Sequence, residues 1–183
     1  MDDSKRDFVR KACLGTMCLC GLSNIANAKI FENMDVKAAP PKQMQVNWIL
    51  EVLKNVDQNL SEEERRKIIK SASIAEYENQ NVETNMAQYK GDIKKFISFL
   101  EKDWGWICNF ENDGKTLIIN ENKNVCVCPL LKDTVGKLYP AMCYCSEGFA
   151  ERMFSFILGY QVTATVVSSI HRGGERCIYK ILL

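Results

Sequence analysis

The sequence predicts an α+β fold: N-terminal helices, then an antiparallel sheet with one inserted amphipathic helix and a C-terminal β-hairpin. Three observations point to it. Apolar residues recur at helical spacing from Trp48 to Leu100, the period shortens to two after Trp104, and two β-rich runs meet at Gly173-Gly174 near the C-terminus. A chain of 183 residues, 46% apolar and 26% charged, has the size of one ordinary domain and the composition of a folded one. Its 24 Lys and Arg balance 23 Asp and Glu, so no basic stripe favours nucleic acid and nucleic-acid binding is not expected.

Taken in order, residues 1–11 are charged, 12–22 form an uncharged apolar stretch, and Ala26-Asn27-Ala28 offers small residues for cleavage, the tripartite pattern of a signal peptide. The apolar stretch falls short of the roughly 20 residues that a membrane-spanning helix needs. Ser4 to Arg10 resembles the twin-arginine export motif, with Lys5 where the first arginine usually stands. The expected organisation is therefore a signal peptide over 1–28, a flexible lead-in over 29–42 and a single domain over 43–183. An exported, periplasmic or extracytoplasmic protein and contact with an export machinery follow, the alternative being a cytoplasmic protein with an amphipathic N-terminal segment.

Trp48, Ile49, Leu53 and Val56 mark the first helix. Ser61, with Glu64 three residues on, reads as the capping box of a second, with Ile68, Ile69, Ala72 and Ala75 as its apolar stripe. Asn79 to Asn85 interrupts the pattern, and a third helix after Gly91 buries Ile93, Phe96, Ile97 and Leu100. Trp106 to Phe110 and Thr116 to Ile119 flank an Asn112-Asp113-Gly114 turn and read as a hairpin. A short strand or loop follows at Val125 to Cys128. Ser146 is expected to cap the inserted helix, with Glu147 and Glu151 at its positive end and Gly159 as its stop. In the last hairpin a two-residue turn at Gly173-Gly174 pairs Ile170 with Cys177. That register puts Ala164, Val166, Ile170, Cys177, Tyr179 and Ile181 on the inner face and turns His171, Arg176 and Lys180 outward.

Nine cysteines accompany a single histidine, and three of the nine lie in the leader. Among the rest, Cys126 and Cys128, Cys143 and Cys145, and Cys177 are the candidate metal ligands. On extended backbone the two members of a Cys-x-Cys pair face one way, so two pairs can bring four thiolates together for zinc. Disulfides formed after export and buried free thiols are the other readings of the same residues. Twin-arginine export moves folded proteins and would allow metal loading before transport.

Cys128-Pro129-Leu130, Tyr139-Pro140 leading to Cys143-Tyr144-Cys145-Ser146, Phe154, Leu158-Gly159 and Ser169 to Cys177 resemble the C-terminal half of vinyl-4-reductase-type small-molecule-binding domains. They are similar also to an uncharacterised bacterial Cys-rich group and, more faintly, to L-2-amino-thiazoline-4-carboxylic acid hydrolases. The resemblance covers about residues 104–183. It implies a sheet backed by helices around an apolar pocket, with zinc beside the pocket in some members. Cys143 and Cys177 match ligand positions of that pattern. The cysteine and acidic residue between them fall near Ser169 and Val166, so Cys145, Cys128 or Cys126 would take their place.

The leading functional expectation is an exported small-molecule-binding or sensor-type domain taking a small apolar or mixed ligand. Trp106, Phe110, Phe149, Met153 and Tyr179 are the expected pocket walls. One alternative is a hydrolase for a small C–N or C–S substrate, for which His171 is the sole imidazole base. The other is a thiol–disulfide redox protein, although no Cys-x-x-Cys pair is present. The sequence carries no phosphate-cradling glycine loop or dinucleotide fingerprint.

Overall fold

Helix begins within the expected lead-in, at Pro41, and the first apolar repeat carries it to Asn59 (α1, Pro41–Asn59). The computed structural model describes residues 41–131 and 136–183, which fall in one compact unit. The expected signal peptide and the lead-in up to residue 40 lie outside the described residues. In α1, Leu53 is buried whereas Trp48 stands in solvent.

The capping box forms as the sequence predicts. The Glu64 N–H donates to Ser61 Oγ (3.3 Å) and the Ser61 N–H donates to Glu64 Oε2 (2.9 Å), which starts α2 (Glu62–Ala72). Its buried face differs from the expected stripe: Ile68, Ala72 and Ala75 are exposed, and Ile69, Ser73 and Tyr77 face inward at i, i+4 and i+8. The reason is a polar contact that an apolar count overlooks. Ser73 is fully buried at the break between α2 and α3 (Ile74–Asn79), where its hydroxyl donates to the Lys70 carbonyl (2.7 Å). After Asn81, in the left-handed region at φ 48°, comes α4 (Val82–Met86). Asp92 caps α5 (Ile93–Phe99) by accepting the Lys95 N–H. Phe96, Ile97 and Leu100 are buried as predicted, and the helix widens over Leu100–Trp104 before Gly105 ends it.

The strands are β1 (Ile107–Glu111), β2 (Thr116–Asn120), β3 (Thr163–Ser168) and β4 (Ile178–Leu182), in antiparallel order β1-β2-β4-β3. Asn112, Asp113 and Gly114 all take positive φ, which closes the first hairpin with Glu111 opposite Thr116. The buried face of the sheet, with Leu117, Ile119, Tyr179 and Ile181, packs on Phe96, Met153, Phe154 and Ile157 from the helices. A second, smaller core joins Leu53 and Ile69 to the Tyr139–Cys145 segment.

The inserted helix, α6 (Cys143–Leu158), starts at Cys143 rather than Ser146, because a 3-10 turn at Pro140–Met142 leads directly into it. Gly159 ends it at φ 77°, as expected. Glu147 and Glu151 consequently lie beyond the first turn, and a helix-dipole role does not describe them. Arg66 Nη2 donates to Glu147 Oε1 (3.1 Å), and Lys70 Nζ donates to Glu151 Oε1 (2.5 Å). The same two oxygens accept backbone N–H groups of β3, from Val166 to Glu147 and from Ala164 to Glu151, both at 2.9 Å. As β3 is an edge strand, these amides have no neighbouring strand on that side. Between the two acids sits Gly148, where a Cβ would stand 2.3 Å from the Lys70 carbonyl oxygen and from Ser73 Oγ.

The C-terminal hairpin also departs from expectation. The chain leaves β3 at Ser168, makes a 3-10 turn over Ile170–Arg172, and enters β4 only at Ile178, so Ile170 and Cys177 are not paired. Gly173 takes φ 81°, and the Gly174 N–H returns to the Ser169 carbonyl (2.9 Å). The glycine pair thus closes a 3-10 turn instead of a two-residue hairpin. A register shift at Val166/Ser168 follows, yet of the expected inner-face residues Ala164, Val166, Cys177, Tyr179 and Ile181 remain buried and only Ile170, drawn into the turn, is half-buried.

Gly148→Ala is expected to destabilise the domain by about 1–3 kcal/mol through overpacking of α2 on α6, measured by urea denaturation. Glu147→Leu, which strands the Val166 amide, is expected to cost about 2–4 kcal/mol. Glu147→Gln keeps an acceptor and should cost less, and equal losses for the two variants would contradict the edge-capping role.

Candidate functional site

A cavity of about 200 Å³ lies between the sheet and the helices. Each wall follows from an element already placed. The end of β2 contributes Ile119 and then Glu121, whose N–H bonds the Cys177 carbonyl (3.0 Å) and so holds Cys177 beside it just before β4. Helix α6 presents Cys143, Ser146, Phe149 and Met153, and α3 presents Glu76. Trp104 and Trp106, edge to face with centroids 4.8 Å apart, form an aromatic wall, and the loop after β2 brings Cys126 and Cys128.

Of the expected pocket residues, Trp106, Phe149, Met153 and Tyr179 line this cavity. Phe110 is not among its lining residues. It is exposed on the edge strand β1, although its register partner Leu117 is buried and the pleat puts both on the core-side face.

Four of the five candidate metal ligands, Cys126, Cys128, Cys143 and Cys177, reach the cavity. Cys145 does not line it. The second Cys-x-Cys pair is helical, and residues two apart on a helix diverge by about 200° instead of sharing a face. Cys143 Sγ therefore lies 3.1 Å from Ser169 Oγ, while Cys145 donates to Glu76 Oε2 at 3.4 Å. All six cysteines of the described residues, Cys108 included, are free thiols. Their donor chemistry suits zinc, but among the described residues no three His, Cys, Asp or Glu side chains are grouped closely enough to hold a metal ion.

Burial dominates the acid–base properties of the site. It pushes the Cys177 thiol up to about 12 and that of Cys128 to about 11, and it raises Cys126, Cys143 and Cys145 as well. Thiols of this kind stay protonated at neutral pH and are poor nucleophiles. Glu76 and Glu121 are raised by the same desolvation. Their partners are neutral donors: Cys145 and Gln80 (3.1 Å) for Glu76, and the Tyr179 hydroxyl (2.6 Å) for Glu121.

His171 corrects the sequence reading most sharply. The 3-10 turn carries it inward, to 4% exposure, into the wall of the same cavity as Cys177. Its Nδ1 accepts the Tyr139 N–H (3.3 Å), which assigns the proton of the neutral ring to Nε2. Nε2 is buried with no partner, and burial lowers the pKa of the ring.

Glu76 and Glu121 are the site residues that sequence reasoning missed, whereas His171 was named as a candidate base but turned away from Cys177. Glu76 sits in Glu76-Tyr77-Glu78, which looks like a solvated helix face. Its one available signal was adjacency to Tyr77, had Tyr77 been recognised as core.

Fold and site together define an α+β domain that encloses a small cavity lined by acids, thiols and aromatic rings. The chain belongs to DUF6144, a family of unknown function, whose profile matches residues 16–183. It matches no curated protein.

The raised carboxyls give a signed pH prediction. A folded-state pKa above the unfolded value stabilises the fold below the unfolded pKa, and this contribution is lost as pH rises through the folded one. Stability should therefore fall as pH climbs above 4.5, the ordinary glutamate value, and Glu76→Gln/Glu121→Gln should flatten that slope in urea denaturation. An unchanged slope would contradict the burial of these acids.

Proposed function

We propose that the chain is a small-molecule-binding, sensor-type domain whose ligand occupies this cavity. The observation that carries the reading is a partly open, aromatic-walled cavity lined by a buried histidine whose Nε2 has no partner. An unpaired buried donor costs about 1–3 kcal/mol, a cost that a ligand acceptor would offset. At about 200 Å³ the space is smaller than the roughly 300–1,000 Å³ of pockets for drug-sized molecules, which favours a small ligand.

The alternatives have less support. Hydrolysis by a cysteine nucleophile needs a thiol lowered toward neutrality, and disulfide exchange needs ready access to thiolate, whereas burial raises every cavity thiol. An extracytoplasmic setting is part of the proposal and rests on the leader pattern alone.

Native and denaturing mass spectrometry of the purified full chain tests the reading. The expected result is an excess native mass from one organic molecule per chain, released on denaturation. Identical native and denatured masses, with no compound in a small-molecule panel raising the melting temperature, would contradict it. One zinc per chain with thiols unreactive until chelation would replace it with the metal reading.

A further inference from the structure

We propose that the occupant of the cavity is a small organic ammonium ion with an aromatic or apolar body and one oxygen acceptor, an inference that rests on the small-molecule-binding reading.

Four carboxylates at the helix–sheet interface fall into two pairs that are treated differently. Glu147 and Glu151 each have a cationic partner, Arg66 and Lys70. Glu76 and Glu121, which line the cavity, have none among the described residues; their bonds come from a thiol, an amide and a phenol. The other ionisable groups acting on them are also acids. Cys128 and Cys145 act at Glu76; Cys126, Cys177 and Tyr179 act at Glu121. Arg172, which acts on Cys143, does not line the cavity: its Nε donates to the Pro140 carbonyl (3.5 Å) and its guanidinium stacks over the Tyr144 ring at 4.3 Å, with Nη2 buried and unpartnered. The cavity is thus lined by groups that can only be neutral or negative, apart from one neutral imidazole. A positive guest is the complement of that lining, and an anionic one is opposed by it.

The size and walls decide which cation fits. A space of about 200 Å³ is several times the roughly 30 Å³ that one water occupies in the liquid, and among the described residues no three donors are grouped for a metal ion, so the guest has an organic body. Trp104, Trp106 and Phe149 supply faces that attract an ammonium group and pack an apolar skeleton. The second, independent observation is His171: only 4% exposed, lining the cavity, with Nε2 unpartnered. With Nδ1 committed to the Tyr139 amide, Nε2 is a donor, so the guest carries an oxygen to accept from it.

Calorimetric titration of the full chain with tyramine, tyrosol and hydroxyphenylacetate tests the charge requirement on one skeleton. Tyramine should bind about tenfold or more tightly than tyrosol, with hydroxyphenylacetate weakest. Glu76→Gln and Glu121→Gln, shown to be folded by circular dichroism, should abolish the preference for tyramine and leave tyrosol affinity unchanged. Equal affinity for tyramine and tyrosol, tighter binding of hydroxyphenylacetate, or no detectable binding of tyramine overturns the cation assignment. Binding of tyrosol or hydroxyphenylacetate in those cases leaves the binding-domain reading standing. Uptake of zinc with protection of the thiols and exclusion of all three probes overturns both.

Discussion

The outer edge of β3 has amide protons with no strand to accept them, and two carboxylates on α6 take them. Glu147 holds Val166 and Glu151 holds Ala164, while Arg66 and Lys70 on α2 neutralise the acids from the other side. An ion pair at such a place carries a desolvation cost that further bonds offset, and here Oε1 of each carboxylate serves both a cation and a backbone amide, while Glu147 Oε2 has only its ion-pair contact with Arg66 Nε (3.1 Å). The spacing of the acids, four residues apart on α6, matches cations four residues apart on α2 and amides two apart on β3. Gly148, between the acids, lets the α2 carbonyl at Lys70 approach. One joint therefore fixes the rotation of α6, and that rotation aims Cys143, Ser146, Phe149 and Met153 at the cavity.

The same interface leaves a second pair of acids without cations. Glu76 and Glu121 are held by neutral donors, the thiols around them are pushed toward the protonated state, and the single imidazole keeps an unused donor. Nothing in that set is activated for attack. Under the proposed binding role a guest would complete the charge and hydrogen bonding of that set, which is why we favour binding over hydrolysis or disulfide exchange.

Local chemistry was legible in the sequence wherever it was self-contained. The Ser61/Glu64 capping box, the Asn112-Asp113-Gly114 turn and the Gly159 stop each depend on residues within a few positions, and each formed as expected. Most of the buried face of α5, with Ile93 half-buried, and the buried faces of β3 and β4 followed from periodicity for the same reason. Failures came where a distant polar partner overrode the local pattern. Ser73 and Gly148 set the phase of α2 against α6, which no apolar stripe announces. Glu147 looked like a helix-start acid because its partners lie 81 and 19 residues away. The Cys143-Tyr144-Cys145 pair suggested a shared face only while it was taken as extended. His171 was turned outward by a two-residue turn that Gly173-Gly174 allows but does not require, so four of the pocket walls were found while the one candidate base was placed on the wrong face.

The central claim is that this cavity holds a cationic organic guest against Glu76, Glu121 and His171. A crystal structure of the full chain with tyramine, with anomalous data at the zinc edge, tests it most directly. The account predicts density within the cavity with its nitrogen bonded to Glu76 or Glu121 and its oxygen bonded to His171 Nε2. A metal peak bound by Cys126, Cys128, Cys143 or Cys177, or side chains collapsed into an empty cavity, would contradict it.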